Sequence, residues 1–412
     1  MEAELIFGLN TAWVLLCAFL VFFMQAGFGM LEAGFVRAKN AINILMKNLI
    51  DLSVGIIGFF LLGFGLMFGP GNAFFGFENF AFLGLAEQIN GVSGPAFFLF
   101  QAVFAATAAT IVAGAVAERT KFLTYVLLSI IITSFIYPVV GHWIWHETGF
   151  LAKLGFIDFA GSTVVHTVGG LISLVAAIFV GPRLGRFDLT QAKKFNGHSI
   201  PLATLGMLIL WFGWYGFNGG SQLAIDGANA NAIGLITLNT TLAAAAGGLV
   251  SLFALGLYTR KLQAGPTLNG TLGGLVAITA GCASVTPLAA LGIGVLGGLA
   301  VQLATIVIAR LKIDDVVGAF PVHGCAGIVG TLAVGLFALE GGLFYGGGLE
   351  QLGIQTLGIL ATICWTVGTA SIVLFILKKV MKLRVSQEVE LAGLDEHKHG
   401  VSAYPDFEHS KV

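Results

Sequence analysis

Apolar residues run for about twenty positions at a time along nearly the whole chain, and short polar stretches separate the runs. The runs fall near 9–31, 49–69, 96–117, 122–141, 162–181, 200–218, 233–258, 268–286, 288–309, 317–339 and 353–377. Segments of 18 or more apolar residues read as membrane-spanning helices. The pattern therefore predicts an all-α integral membrane fold of eleven transmembrane helices. The spanning domain covers 1–380, and a polar tail follows over 381–412. That tail has too few apolar residues for a core of its own, which points to a partly disordered terminus.

The basic residues give the predicted helices an orientation. Arg37, Lys39 and Lys47, Arg119 and Lys121, Arg183, Arg186, Lys193 and Lys194, Arg260 and Lys261, Arg310 and Lys312, and the 378–384 cluster fall on one side of the predicted membrane, with Lys153 on the other. By the positive-inside rule the N-terminus is outside and the C-terminus cytoplasmic in a multi-pass protein of the cell (cytoplasmic) membrane. Composition agrees with the lipid bilayer as solvent: 57% of the 412 residues are apolar, 10% are charged, and there are 58 glycines. No part of the chain is left for a soluble catalytic domain. A net charge of −1 offers nothing to nucleic acid. Cys17, Cys282, Cys325 and Cys364 stand singly in apolar runs and read as small buried thiols rather than metal ligands. The first run lacks a basic leader and a small-residue cleavage site, so it is expected to be a retained span.

Two distant stretches share a skeleton. DFAGSTVVHTVGG at 158–170 and DVVGAFPVHGCAG at 315–327 each read Asp, seven residues, His. Each Asp stands where an apolar run begins, and each His lies about 12 Å further along the helix. The predicted orientation sends the two helices in opposite directions. They become the fifth spans of two inverted five-helix halves, about 9–181 and 200–339, with a final helix at about 353–377. His166 and His323 should then meet near the middle of the membrane, where an ionisable group usually faces a cavity or pathway. Asp158 and Asp315 are expected to cap helix N-termini. A second constellation gathers at the outer side. Phe100 and Phe104 are one turn apart, WFGWYGFNGGS brings Trp214, Phe217 and Ser221 to a similar level, and HWIWHETGF supplies Trp145. Such aromatics could form a belt at headgroup depth, the reading preferred for Trp143, Trp211 and Tyr215. They could equally form a cage for a small cation over ring faces. His142, His146 and Glu147 are expected to be loop residues. An aromatic constriction followed by two imidazoles suits a cation that can shed a proton, as ammonium can and an alkali ion cannot.

On these residues the chain resembles the ammonium transporter (Amt/Mep/Rh) family, in its prokaryotic Amt branch. The matching stretches are FGMLEAGFVRAKN at 28–40, FQAVFAATAATIVAGAVAERTKF at 100–122, the 158–170 block, WYGFNGGS at 214–221, DDVVGAFPVHGCAGIVG at 314–330 and GLDEHKHGVSAY at 393–404. The resemblance implies ammonium and methylammonium as substrates, no enzymatic activity and no cofactor. It implies an outer binding site at Trp145, Phe104 and Ser221 with Asp158 behind it, and a gate of Phe104 and Phe217 with Phe100 and Trp214 as neighbours. His166 and His323 would be the twin pore histidines. A homotrimer is implied, as is a PII-type nitrogen signalling protein docking on the cytoplasmic face and tail. The family usually has a glycine run directly after the site tryptophan. Here His146, Glu147 and Thr148 intervene, which leaves Trp143 as the alternative to Trp145. A transporter-like ammonium sensor and an NH3/CO2 gas channel are the competing functional readings.

Overall fold

A computed structural model describes residues 1–188, 190 and 195–405. Lys193, Lys194 and the last seven residues of the tail lie outside the described residues. Among the described residues the main helices are α1 Glu2–Phe35, α2 Ala41–Gly58, α3 Gly94–Ala115, α4 Phe122–Ile131, α5 Val168–Val180, α6 Ile200–Gly220, α7 Asn229–Thr259, α8 Ala264–Ile278, α9 Pro287–Arg310, α10 Ala326–Phe337 and α11 Glu350–Met381. Wide π-helical turns, Phe59–Gly63 and Ile132–Ile136, carry α2 on to Phe68 and α4 on to Trp145. Two more such turns, Ser162–Thr167 and Phe320–Cys325, lead into α5 and α10 and hold the two histidines.

Among the described residues, ten helices are long and apolar enough to cross a membrane, against the eleven predicted. The difference is α8. It has 15 residues and stops at Ile278 where the run to 286 predicted a longer helix. At about 1.5 Å per residue it spans about 22 Å of a core about 30 Å thick. The chain can leave the helix there because its polar groups find partners inside the protein. Thr279 Oγ1 accepts from Trp214 Nε1 at 2.8 Å, and Ser162 Oγ donates to Val276 O and accepts from Ala280 N, both at 2.7 Å. Irregular backbone at membrane depth survives only when so enclosed.

The histidine-bearing helices cross antiparallel. Thr163 Oγ1 meets Thr331 Oγ1 at 2.7 Å, Gly327 faces Thr167, and Gly170 faces Gly324, so partner numbers fall as residue numbers rise. The Asp-x7-His repeats are offset by 157 positions. That offset turns the Thr167–Gly327 contact into the Gly324–Gly170 contact, as a two-fold axis between the helices requires.

Lys47, Arg119 and Arg183, three of the basic residues that set the predicted orientation, are buried. Arg183 Nε lies 2.8 Å from Asp314 Oδ2 and its Nη1 3.2 Å from Glu118 Oε1, while Arg37 Nη2 lies 2.5 Å from Glu118 Oε2. Arg119 donates to the carbonyls of Ala115, Ala117, Gly181 and Asp314. Burial raises the Asp314 carboxyl, but hydrogen bonds and charge from Arg183 outweigh it and hold the group well below the usual carboxylate range. The same opposition, with Arg183 and Arg37 as the cations, lowers Glu118. These contacts tie the loops after α1, α3, α5 and α9 into one basic end of the bundle.

The described part of the tail is ordered there as two short helices, Gln387–Ala392 and Leu394–His399. It needs no core of its own, because it borrows polar partners from the bundle. Asp395 accepts from the backbone of Ile42 and Asn43 at 2.9 and 2.8 Å, and Glu390 accepts from the backbone of Leu184 at 2.8 Å. Of the four cysteines, Cys17 and Cys282 are buried, Cys325 is half-buried, and Cys364 is exposed.

Candidate functional site

Trp145 closes the helix that follows Ile136. Its indole N–H donates to the Asp158 carbonyl at 2.7 Å, and its ring stands edge-on to Phe104 with centroids 6.1 Å apart. Gly161, at φ 112°, lies where a Cβ would come within 3.2 Å of that indole. A left-handed glycine is what lets the chain pass so close. The Asp158 carboxylate turns the other way and accepts from the N–H groups of Gly161, Thr163 and Val164 at 3.1, 2.8 and 2.9 Å. Asp315 does the same for Gly318, Ala319 and Phe320 at 3.0, 3.0 and 2.8 Å. Each Asp therefore fixes the start of the turn that carries its histidine, the capping role the spacing suggests. Burial pushes the Asp158 carboxyl up to about 6, against the pull of those backbone donors.

Trp145, Phe100, Phe104 and Ser221 share the wall of a cavity of about 150 Å³, together with Phe68 and Gln101. Asp158 stands behind that wall. Ser221 Oγ donates to Phe217 O at 2.9 Å, one turn back on α6. Its proton is thereby committed, and its free lone pairs can receive a hydrogen bond. Phe100 packs on Phe104 at 4.7 Å. Below them Phe104 and Phe217 stack at 3.9 Å and 17°.

The rings continue inward without a break. His166 stacks on Trp214 at 5.0 Å, on Phe217 at 5.4 Å and on His323 at 5.2 Å, and Phe28 lies 6.1 Å beyond His323. The two imidazoles meet Nδ1 to Nδ1 at 3.1 Å. One of the two must donate and the other accept, so each ring's tautomer fixes its neighbour's. His166 is fully buried, and its Nε2 has no hydrogen-bond partner.

The structure separates Trp145 from Trp143. Trp143 donates to Phe74 O at 2.9 Å and packs on Phe150 and Trp365, away from the cavity. It is 7% exposed and so is no headgroup anchor in this chain. Trp211 is half-buried, and Tyr215 shares a 2.9 Å hydrogen bond with Thr241. His142 is also not a loop residue. The helix continues past the predicted end at 141, and the 68–76 segment folds over it, so that Met67 O and Asn72 O lie 2.9 and 2.8 Å from the two ring nitrogens. His146 is half-buried and stacks on it, while Glu147 is exposed.

Sequence reasoning overlooked a polar cluster among α1, α2, α3 and α4. It comprises Glu32, Lys47, Asp51, Thr110 and Tyr125, all buried. Charged residues inside apolar runs were the signal available. No group of His, Cys, Asp and Glu suited to a metal ion occurs among the described residues.

The model of the Ammonium Transporter Family matches residues 12–404. The chain is 43% identical to ammonium transporter Amt2 of Archaeoglobus fulgidus over 417 residues, covering 96% of this chain and 88% of that protein. It is 43% identical to ammonium transporter Amt1 of Haloferax mediterranei over 425 residues, covering 97% and 80%. A solved structure described as a sensor Amt protein superposes with a TM-score of 0.90 at 42% identity, covering 97% of this chain and all of that one.

Proposed function

This chain belongs to the ammonium transporter family and moves ammonium across a membrane, and from that premise we propose how its residues do so. NH4+ rests in the outer cavity against the faces of Phe104 and Trp145 and donates one hydrogen bond to Ser221 Oγ. Asp158 holds Trp145 and the His166 turn in place and leaves the cation to the rings. The cation gives up a proton at the gate formed by Phe104 and Phe217, flanked by Phe100 and Trp214, because a full charge is costly beyond it. Ammonia then passes His166 and His323.

The proton follows along the imidazoles. His166 takes it at Nε2 and passes its Nδ1 proton to His323 Nδ1, and His323 releases one from Nε2. The observation that supports this reading most directly is the 3.1 Å approach of the two Nδ1 atoms, beside an unpartnered Nε2 on His166.

The same reading has eleven crossings in two inverted halves, the N-terminus outside and the basic end in the cytoplasm of a cell-membrane protein. The subunits form a homotrimer with one pore each. The docked tail offers its outer face to a PII-type regulator.

Charge movement on a solid-supported membrane tests the mechanism with ammonium, methylammonium and potassium side by side. Ammonium and methylammonium should evoke current and potassium none. His166→Ala and His323→Ala should each abolish the current or change its selectivity. An electroneutral wild type would reject the imidazole relay. A double variant with unchanged rate and selectivity would reject any role for the histidines.

A further inference from the structure

α1 carries Glu32 into the interior one turn beyond Phe28, the ring that packs on His323. Four helical residues at about 1.5 Å each set it about 6 Å closer to the basic end. A narrow cavity lies there, with Phe28, Glu32, Asn269, Val317, Gly318 and His323 in its wall.

The carboxyl is 2% exposed and is held from behind, where Oε2 accepts from Asn48 Nδ2 at 2.8 Å. A Cβ built on Gly114 would lie 2.6 Å from Oε1 and would also press on Val317 Cγ2, so this oxygen sits beside the Val317 wall of the cavity. Among the described residues, Glu32 takes part in no ion pair.

Two ionisable residues of α2 stand behind it. Lys47 is fully buried, has no hydrogen-bond partner at Nζ and lies 5.5 Å from the centre of the Tyr125 ring. Asp51 accepts from the Tyr125 hydroxyl and, at 3.0 Å, from Thr110 Oγ1. Two carboxyls and one lysine thus lie together in the interior, and among the described residues no ion pair joins them. In apolar surroundings an unpaired carboxylate is expensive, and a monovalent cation against Oε1 would stabilise its ionised form.

We propose that Glu32 is the exit-side cation site of this pore. The proposal rests on the conduction route described above. Ammonia arriving past His323 takes up the proton released from His323 Nε2, NH3 + H+ giving NH4+, and the Glu32 carboxylate holds the cation until water carries it away. The outer site recruits with ring faces, whereas the exit site receives with a formal charge.

The test uses proteoliposomes of the full chain, with ammonium and methylammonium as probes and the pH inside the vesicle varied. Glu32→Gln removes the charge while its amide oxygen can still accept from Asn48, and Asn48→Ala removes the hydrogen bond while keeping the charge. Glu32→Gln should lower the ammonium-evoked current about tenfold and flatten its dependence on interior pH. Asn48→Ala should keep that dependence. Equal losses in the two variants would make the network merely structural and overturn the site. So would a Glu32→Gln current within about twofold of wild type with an unaltered pH profile.

Histidine variants run alongside separate the two ideas. If they change selectivity while Glu32→Gln behaves as wild type, the conduction route stands and the exit site falls. If they change nothing, the route itself has failed. Should Glu32→Gln not be recovered folded, Glu32→Asp decides. With its carboxylate drawn back from Val317 it should pass less current and retain the pH dependence, and wild-type current in that variant would overturn the proposal.

Discussion

Gly327→Ala probes the meeting of the histidines without touching either ring. Gly327 lies one turn after His323, against the turn that carries His166. A methyl group there would stand 2.5 Å from Ser162 O and 2.5 Å from Thr167 Oγ1, where ordinary contact begins at 3.4 Å. The side chain is a single rigid atom, and Thr167 Oγ1 is already committed to Ser162 O at 2.8 Å, so neither neighbour can simply swing aside. The helices must part by about 0.9 Å. Overpacking of this kind costs about 1–3 kcal/mol. Carried to the imidazoles, the same displacement stretches their 3.1 Å contact to about 4 Å, beyond hydrogen-bond range. The expected variant is therefore folded, a few degrees less stable in a thermal melt, and severely impaired in ammonium-evoked current on a solid-supported membrane. Wild-type current from a variant whose melting point has dropped would refute the reasoning, because the helices would have separated while the relay went on working.

Ser221→Ala should weaken the apparent affinity for methylammonium only about two- to tenfold, the worth of one hydrogen bond, as read from uptake against concentration. Arg183→Ala removes the cation that Asp314 and Glu118 share but leaves Arg186 and Arg37 beside them, and should cost about 1–3 kcal/mol, read as a drop in thermal stability. Acid should act on the same cluster. The folded-state pKa values of Asp314 and Glu118 lie below their unfolded values, so their contribution is complete above the unfolded range, near pH 4, and is lost as pH falls toward the folded values. Melting temperatures of the detergent-solubilised protein should decline below about pH 4, and Arg183→Ala should flatten that decline.

Much of the site was legible because its determinants are local. An Asp at a helix start and a His eight positions on need only helical geometry, and their repetition in a second helix points to a crossing. Phe100 and Phe104 follow from the spacing of one turn. What escaped depends on contacts between distant segments. His142 looked like a loop residue because nothing local announces that Met67 and the segment after it would offer it two carbonyls. That Lys47 is buried against Tyr125 was not legible, because a basic residue in that stretch counts the same for orientation whether it faces lipid headgroups or a ring. The short α8 read as a full span because composition does not report that Trp214 and Ser162, from two other helices, would satisfy the chain where it turns. Sequence left Trp143 and Trp145 undecided for a similar reason, since only the path of the backbone after His146 distinguishes them.

The stacked pair Phe104 and Phe217 has a kinetic consequence. With ring centres 3.9 Å apart, the two discs already touch, and no solute of any kind fits between them as they stand. On the proposed route passage must wait for a ring to swing, so traffic would be counted in side-chain rotations rather than in the free diffusion of an open tube. If the proposed route holds, a residue that loosened the hinge of either ring would raise throughput and leak together, and the bulk around that pair would act as a brake as much as a filter.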